Sequence, residues 1–106
     1  MFPRATRSTY VVLIRLQQLL ITRGYASIYG YELLHGRGGD ILHGPTTYKI
    51  LQRLEEAGFL EKADPRPGCP PQTEGSTRVF YRLTREGKTA IPAQIRAWRA
   101  RFHAGR

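Results

Sequence analysis

Residues 44–58 read Gly-Pro-Thr-Thr-Tyr-Lys-Ile-Leu-Gln-Arg-Leu-Glu-Glu-Ala-Gly, and this stretch has a helix boundary at each end. Pro45 suits the first helical position, and Gly58 suits the left-handed residue just past the last turn. One face carries the apolar residues at helical spacing, namely Ile50, Leu51 and Leu54. The sequence therefore predicts an amphipathic helix over 45–57, with one face packed and the opposite face open to a partner.

The open face of this helix carries polar and cationic side chains. Short donors and a lysine in its first turns are the residue types that reach base edges and phosphates when a helix N-terminus enters a major groove. We therefore expect a DNA-recognition helix with Tyr48 on a phosphate, and its contact residues are Thr46, Thr47, Tyr48, Lys49, Gln52 and Arg53. The alternative for this stretch alone is an ordinary amphipathic surface helix.

The charge of the chain favours the nucleic-acid interpretation. Its 106 residues include 17 Lys and Arg against eight Asp and Glu, a net charge of +9 with a pI near 10.5. A domain pI above about 9 is typical of proteins that bind polyanions, so double-stranded DNA is the expected partner and an anionic membrane surface the weaker alternative. Basic residues dominate 85–106, and we expect this tail to lie near phosphate.

Other classes of site find little support in the sequence. The lone cysteine, Cys69, excludes an intramolecular disulfide, and it stands among Pro and Gly rather than beside a histidine. The three histidines lack metal-ligand spacing. The longest apolar run, 10–14, is too short to span a bilayer, and no signal-peptide pattern opens the chain. We expect a cytoplasmic, single-domain protein of residues 1–106 with no cofactor, no metal, no enzymatic activity and no membrane contact.

Two helices are predicted before the central one. The first covers 8–23, is capped by Ser8 or Thr9, and carries a broad apolar stripe that includes Leu13, Leu16 and Leu20. The second covers 27–35 and is capped by Ser27; the glycines of 36–39 stop it because they raise the entropy cost of continuing a helix. The basic lead, 1–7, is expected to fray unless it contacts DNA.

Two short strands with a long loop follow the central helix and form a predicted wing over 59–84. The second strand alternates Val79, Tyr81 and Leu83 with Arg78, Phe80 and Arg82, which predicts an apolar face and an arginine-bearing face. The loop over 64–77 is too rich in proline and glycine for regular structure. We expect three wing arginines to contact the DNA backbone or minor groove: Arg66, Arg78 and Arg82. The alternative for the loop is a solvated segment without a partner.

A last helix is predicted over 85–103, with Thr84 as its cap. Pro92 removes a backbone hydrogen bond and clashes with the preceding turn, so we expect either a kink or a restart there. The helix carries an apolar stripe formed by Ile95 and the aromatic residues Trp98 and Phe102, here called the aromatic stripe. Together with the leucine stripe of the first helix, it exceeds the needs of one small core and predicts a homodimer interface. Packing within one chain is the alternative.

Helix, short helix, recognition helix and two-stranded wing, in this order, make an α+β winged helix-turn-helix. Three motifs strengthen that interpretation: Gly30-Tyr31-Glu32-Leu33, Tyr48-x-x-Leu51-x-x-Leu54-Glu55-x-x-Gly58-x-Leu60, and Tyr81-x-Leu83-Thr84-x-x-Gly87. Over about residues 10–90 the chain resembles the PadR-like transcriptional regulators. The resemblance implies a dimeric repressor that binds a (pseudo)palindromic operator. It also allows a small-molecule effector at the dimer interface, which no residue pattern supports.

Two other functions remain open at this level. Small basic winged helices also serve as architectural DNA-binding proteins, such as excisionases and plasmid centromere-binding (partition) proteins, which coat repeated sites. A pure protein-binding module would account for the aromatic residues but not for the charge of +9.

Overall fold

The computed structural model describes residues 2–36, 41–68 and 78–103. Its elements are, in chain order, α1 (Arg7–Leu16), a π-helix (Gln17–Thr22), β1 (Ile28–Tyr29), a 3₁₀ helix (Gly30–Leu33), α2 (Gly44–Glu56), β2 (Leu60–Ala63), β3 (Phe80–Leu83) and α3 (Arg85–His103). The α+β winged-helix class predicted from the sequence is confirmed. Residues 37–39 of the glycine cluster with Asp40 after them, 69–77 of the wing loop with Cys69, and Arg106 of the tail lie outside the described residues.

The first helix begins at Arg7 because Thr6, rather than Ser8 or Thr9, is its cap. The Thr6 hydroxyl accepts a hydrogen bond from the backbone N–H of Thr9 at 3.1 Å. The helix continues directly into the π-helix, which Gly24 follows with a φ of +71°. Leu13 and Leu16 are fully buried in the core of this chain. Their assignment to a dimer interface is therefore wrong.

The helix predicted over 27–35 is also wrong. Ile28 and Tyr29 form β1 and pair with Tyr81 and Phe80 of β3, and only Gly30–Leu33 are helical, as one 3₁₀ turn. Ser27 is not a helix cap, since its hydroxyl donates to the carbonyl of Asp64 at 2.9 Å. A β-branched residue followed by an aromatic one fits a strand once a neighbouring strand supplies hydrogen bonds, and two turns of helical spacing could not exclude that outcome.

The sheet has the order β1-β3-β2, with β3 antiparallel to both neighbours. Leu83 lies in the core as predicted, but Val79 is exposed and precedes the strand, while Phe80 is buried. The Phe80 ring lies 5.1 Å from that of its cross-strand neighbour Tyr29. The predicted division of β3 into an apolar and an arginine-bearing face therefore fails. The reason is that β1 lies beside β3: the Phe80 side chain, on the face expected to carry arginines, is covered by Tyr29 of β1.

The last helix runs without interruption through Pro92. Thr84 caps it as predicted, since its hydroxyl accepts from the N–H of Gly87 at 3.0 Å. Ile95 is 2% exposed within this chain, so its assignment to a dimer interface is wrong. Gly87 lies directly against the Phe59 carbonyl and leaves no room there for a Cβ. This close approach fixes α3 to the start of the wing.

Aromatic side chains join the N-terminal segment to α3. Phe2 stacks on Phe59 with ring centroids 4.3 Å apart and meets Trp98 edge-on at 6.2 Å. Tyr10 stacks on Phe102 at 5.0 Å. The N-terminal segment therefore packs rather than frays, and the aromatic stripe of α3 is covered in large part by the chain itself.

A buried arginine connects α1 to the turn that precedes α2. Arg15 is 2% exposed. Its Nη1 donates to the carbonyls of Leu33 and Leu34 at 2.9 and 3.0 Å, and its Nη2 donates to that of Gly36 at 3.3 Å. Carbonyls at the end of a helix lack intrahelical hydrogen-bond partners and carry partial negative charge. The Arg15 guanidinium therefore supplies hydrogen-bond donors to these carbonyls and has its own positive charge stabilised by them.

Candidate nucleic-acid interface

The central helix lies where the sequence places it and has the predicted boundaries to within one residue. Pro45 stands in its first turn, and Gly58 follows its end with a φ of +88°. The apolar face is buried in the core through Ile50, Leu51 and Leu54. The opposite face is thereby left accessible.

We call this opposite side the recognition face; its residues are Thr46, Tyr48, Lys49, Gln52 and Arg53. All five are exposed, and the Tyr48 side chain is 50% exposed. In the first turn of the helix, the Thr46 hydroxyl oxygen lies within hydrogen-bonding distance of His43 Nδ1, at 3.4 Å. The structure thus gathers five of the six residues expected on this helix on one accessible surface.

Thr47 is the exception, and its expected role in DNA contact is wrong. It is 1% exposed, and its hydroxyl has no hydrogen-bond partner within the described part of the chain. A signal for this was present in the sequence. Thr47 precedes Ile50 by three residues and Leu51 by four, so helical spacing places it on the apolar face.

Arg66 has a structural role in place of the expected DNA contact. Its guanidinium forms a bidentate ion pair with Glu32, at 2.9 and 2.7 Å, and Nη1 also donates to the carbonyl of Ser27 at 2.8 Å. The ring of Tyr25 lies 4.4 Å from the guanidinium carbon. A bidentate, stacked arginine is strongly held in one geometry. Arg66 therefore fastens the wing to the 3₁₀ turn, and its assignment to the DNA backbone is withdrawn.

The other two wing arginines occupy different settings. Arg82 is exposed and pairs with its cross-strand neighbour Glu61, with Nε to Oε2 at 2.6 Å. A solvent-exposed ion pair contributes only about 0–1 kcal/mol, so Arg82 can exchange this carboxylate for another anion at low cost. Arg78 lies over the ring of Tyr29, with its guanidinium carbon 4.9 Å from the centroid.

A cleft with a volume of about 760 Å³ lies between the recognition face and the wing, and residues of both line it. We call it the wing cleft. Its lining residues are Tyr29, Gly30, Tyr31, Tyr48, Gln52, Glu55, Lys62, Arg78, Val79 and Tyr81. Only Tyr48, Gln52 and Arg78 among them were expected at a site. The exposed Tyr31, 61% accessible, is recognisable in the sequence as the tyrosine of the first motif, but its place beside the recognition helix in the lining of one cleft depends on the fold.

The ionisable side chains of the wing cleft favour an anion. Lys62 and Arg78 supply two positive charges against the single carboxylate of Glu55. Burial, and to a lesser extent the Glu55 carboxylate, raises the pKa of Tyr81 above its usual value. The Tyr81 hydroxyl therefore keeps its proton, and can donate a hydrogen bond, up to a more alkaline pH than an ordinary tyrosine.

The ranges 2–36, 41–68 and 78–103 offer neither a metal centre nor a membrane-spanning helix. No group of three or more His, Cys, Asp or Glu side chains in these ranges is arranged to hold a metal ion. No helix in them is long and apolar enough to cross a membrane.

Solved structures with the same fold include two transcription regulators. The chain is similar to a PadR family transcription regulator from Clostridium difficile, with a TM-score of 0.58, 23% identity, and coverage of 89% of this chain and 88% of that one. It is also similar to a PadR family transcriptional regulator from Eggerthella lenta, with a TM-score of 0.56, 22% identity, and coverage of 92% and 87%.

A structure from Streptococcus mutans matches to the same degree, with a TM-score of 0.57, 21% identity, and coverage of 95% and 86%. No protein-family model matches the sequence, and no curated protein matches it. The chain therefore has a PadR-like winged-helix fold, as its sequence motifs predict.

Proposed function

We propose that this protein is a sequence-specific, double-stranded-DNA-binding transcriptional regulator that represses by binding a (pseudo)palindromic operator as a homodimer in the cytoplasm. The observation that carries the proposal is the recognition face: five exposed polar, aromatic and cationic side chains on a helix whose other face is locked in the core. The net charge of +9 supports a polyanionic partner. The PadR-like fold of solved transcription regulators supports the same assignment.

The recognition face and the wing take different roles in this proposal. Thr46 and Gln52 reach base edges in the major groove, where an amide pairs well with adenine. Lys49 and Arg53 contact the flanking phosphates. The wing lies along the adjacent backbone, where Arg82 exchanges Glu61 for a phosphate, and Lys62 and Arg78 contribute further positive charge from the wing cleft.

The proposed dimer uses a smaller apolar surface than the sequence suggested. Leu20, Trp98 and Phe102 remain partly exposed after the chain has folded, and Ile21 of the π-helix is 41% exposed. These apolar side chains, left partly exposed within the chain, are the surface that the proposed dimer would use. A twofold dimer would present two recognition faces to two half-sites about one helical turn, roughly 34 Å, apart.

Selection of bound sequences from random duplex DNA tests the proposal directly. We expect enrichment of one palindromic motif with half-sites about 10 base pairs apart from centre to centre. An extended array of repeated sites coated by many copies would replace repression with the architectural alternative. Enrichment no greater than that of an unrelated basic protein would remove sequence-specific binding altogether.

A further inference from the structure

Among the described glycines, Gly30 alone lies so close to a side chain of the recognition face that a Cβ on it would overlap that side chain. A Cβ built on Gly30 would overlap Cε1 of Tyr48 and lie 2.6 Å from its Cδ1. On the opposite edge of the same ring, a Cβ built on Gly44 would lie 3.8 Å from Cε2, an ordinary van der Waals distance. The Tyr48 ring is therefore seated between two glycine backbones, and only the contact with Gly30 requires glycine.

The backbone of Gly30 does not itself demand glycine. Its φ lies outside the left-handed region that Gly24, Gly36, Gly58 and Gly68 occupy. Alanine at the start of the 3₁₀ helix is thus compatible with the backbone and carries a lower entropy cost than glycine. A methyl group there would displace the end of the Tyr48 side chain and leave the chain folded.

The seat of Tyr48 determines where its hydroxyl can act. With the ring against Gly30, Tyr48 lines the wing cleft together with Tyr31, Lys62 and Arg78. Tyr31 and Tyr48 are half exposed or more, so their hydroxyls are accessible to a large ligand. Hydroxyl donors that line a cleft together with two cations are the kind of groups that proteins use to bind phosphate oxygens.

We propose that Gly30 is a positioning residue for DNA binding: it seats Tyr48 so that Tyr48 and Tyr31, with Lys62 and Arg78, bind one backbone phosphodiester in the wing cleft. The inference rests on the proposed function and adds to it the phosphate subsite and the residue that shapes it. The phosphodiester fits this cleft better than a cationic ligand, because Lys62 and Arg78 outnumber Glu55.

A double-mutant cycle on DNA affinity tests the inference. Gly30→Ala should weaken binding about three- to tenfold, the size of one lost hydrogen bond. Tyr48→Phe should cost a similar factor because it keeps the ring in place and removes only the hydroxyl. In a Tyr48→Ala background, Gly30→Ala should have no further effect, since no ring is left to displace. Gly44→Ala is the matched control and should bind as the unmutated chain does.

The salt dependence separates this role from a general structural one. Gly30→Ala and Tyr48→Phe remove no charge, so each should lower affinity at every salt concentration without changing the slope of log K against log salt. Lys62→Ala should instead lower the slope by about 0.9. Thermal unfolding of Gly30→Ala should match that of the unmutated chain.

Three results would overturn the inference: unmutated affinity in Gly30→Ala, an equal loss from Gly30→Ala with and without the Tyr48 ring, or an altered salt slope in Gly30→Ala. Inorganic phosphate alone should not protect Tyr31 and Tyr48 from chemical modification at low millimolar concentration, whereas duplex DNA should. Protection by phosphate alone would assign the cleft to a free anion. Failure of the unmutated chain to bind any duplex would instead overturn the proposed function.

Discussion

The helices α2 and α3 have similar amphipathic patterns in the sequence, but in the structure one keeps an exposed face and the other packs against its own chain. Both α2 and α3 are amphipathic, and each was expected to offer one face to a partner. In α2 the face expected to be open stays accessible, since all five of its side chains are exposed although the Tyr48 ring contacts Gly30. In α3 the aromatic stripe is covered by Phe2 and Tyr10 of the same chain. Amphipathicity predicts that a face needs cover, but it does not tell which element provides it.

The largest expected effect is the salt dependence of DNA affinity, which the positive charges of the recognition face and the wing should produce. A dimer that neutralises roughly six phosphates should lose about 10³-fold in DNA affinity between about 50 and 200 mM salt. Lys49→Ala should lower the slope by about 0.9 per subunit in fluorescence anisotropy titrations. The matched change Arg99→Ala on α3 measures whether the basic tail contributes as well. Equal affinity at both salt concentrations would rule out DNA as the main ligand.

The second prediction concerns the covered stripe of α3. Trp98→Ala should lower the free energy of unfolding by about 2 kcal/mol, less than a fully buried tryptophan because its ring is only partly buried. This loss should appear in denaturant unfolding at every protein concentration, since Phe2 and Phe102 contact Trp98 within one chain. Arg96→Ala, an exposed position on the same helix, is the control. A loss that disappears on dilution would show that Trp98 stabilises the chain mainly through the proposed dimer contact and not through packing on Phe2 and Phe102.

The third prediction separates readout from positioning within the DNA-binding side. Gln52→Ala should cost about 1–3 kcal/mol on the preferred site and relax the preference at one or two base pairs. Arg82→Ala should weaken all sequences alike, by less, since Arg82 first has to leave Glu61. Competition titrations with single-base variants of the selected site distinguish the two. Unchanged preference in both Gln52→Ala and Thr46→Ala would show that another surface reads the sequence.

The smallest expected effect is a pH dependence at Tyr81. Its pKa is raised in the folded chain, first by burial and then by Glu55, so the folded state holds this proton more tightly than the unfolded state. The corresponding stability is present below the unfolded pKa of about 10 and is lost as pH rises through the higher folded pKa. Tyr81→Phe should flatten the alkaline fall in unfolding free energy. An identical fall in this variant would assign the alkaline loss to other groups.

Local rules were sufficient where one segment decides its own conformation. Pro45 and Gly58 mark the ends of α2 because each suits one backbone position, and the buried Ile50, Leu51 and Leu54 follow from helical spacing alone. The cap at Thr84 is of the same kind. The three motifs, in their order along the chain, were enough for the winged-helix class and its PadR-like form.

Only the tertiary structure decided which surfaces are left over and where the long-range contacts form. Ile28 and Tyr29 become a strand because β3 pairs with them, and Arg15 is buried because three carbonyls of a distant turn meet its guanidinium. Arg66 is taken by Glu32, 34 residues away along the chain. Each of these contacts involves a residue remote in sequence, so no local pattern of charge or spacing predicts it. The same is true of the packing of Phe2 and Tyr10 on the α3 stripe and of the contact between Tyr48 and Gly30.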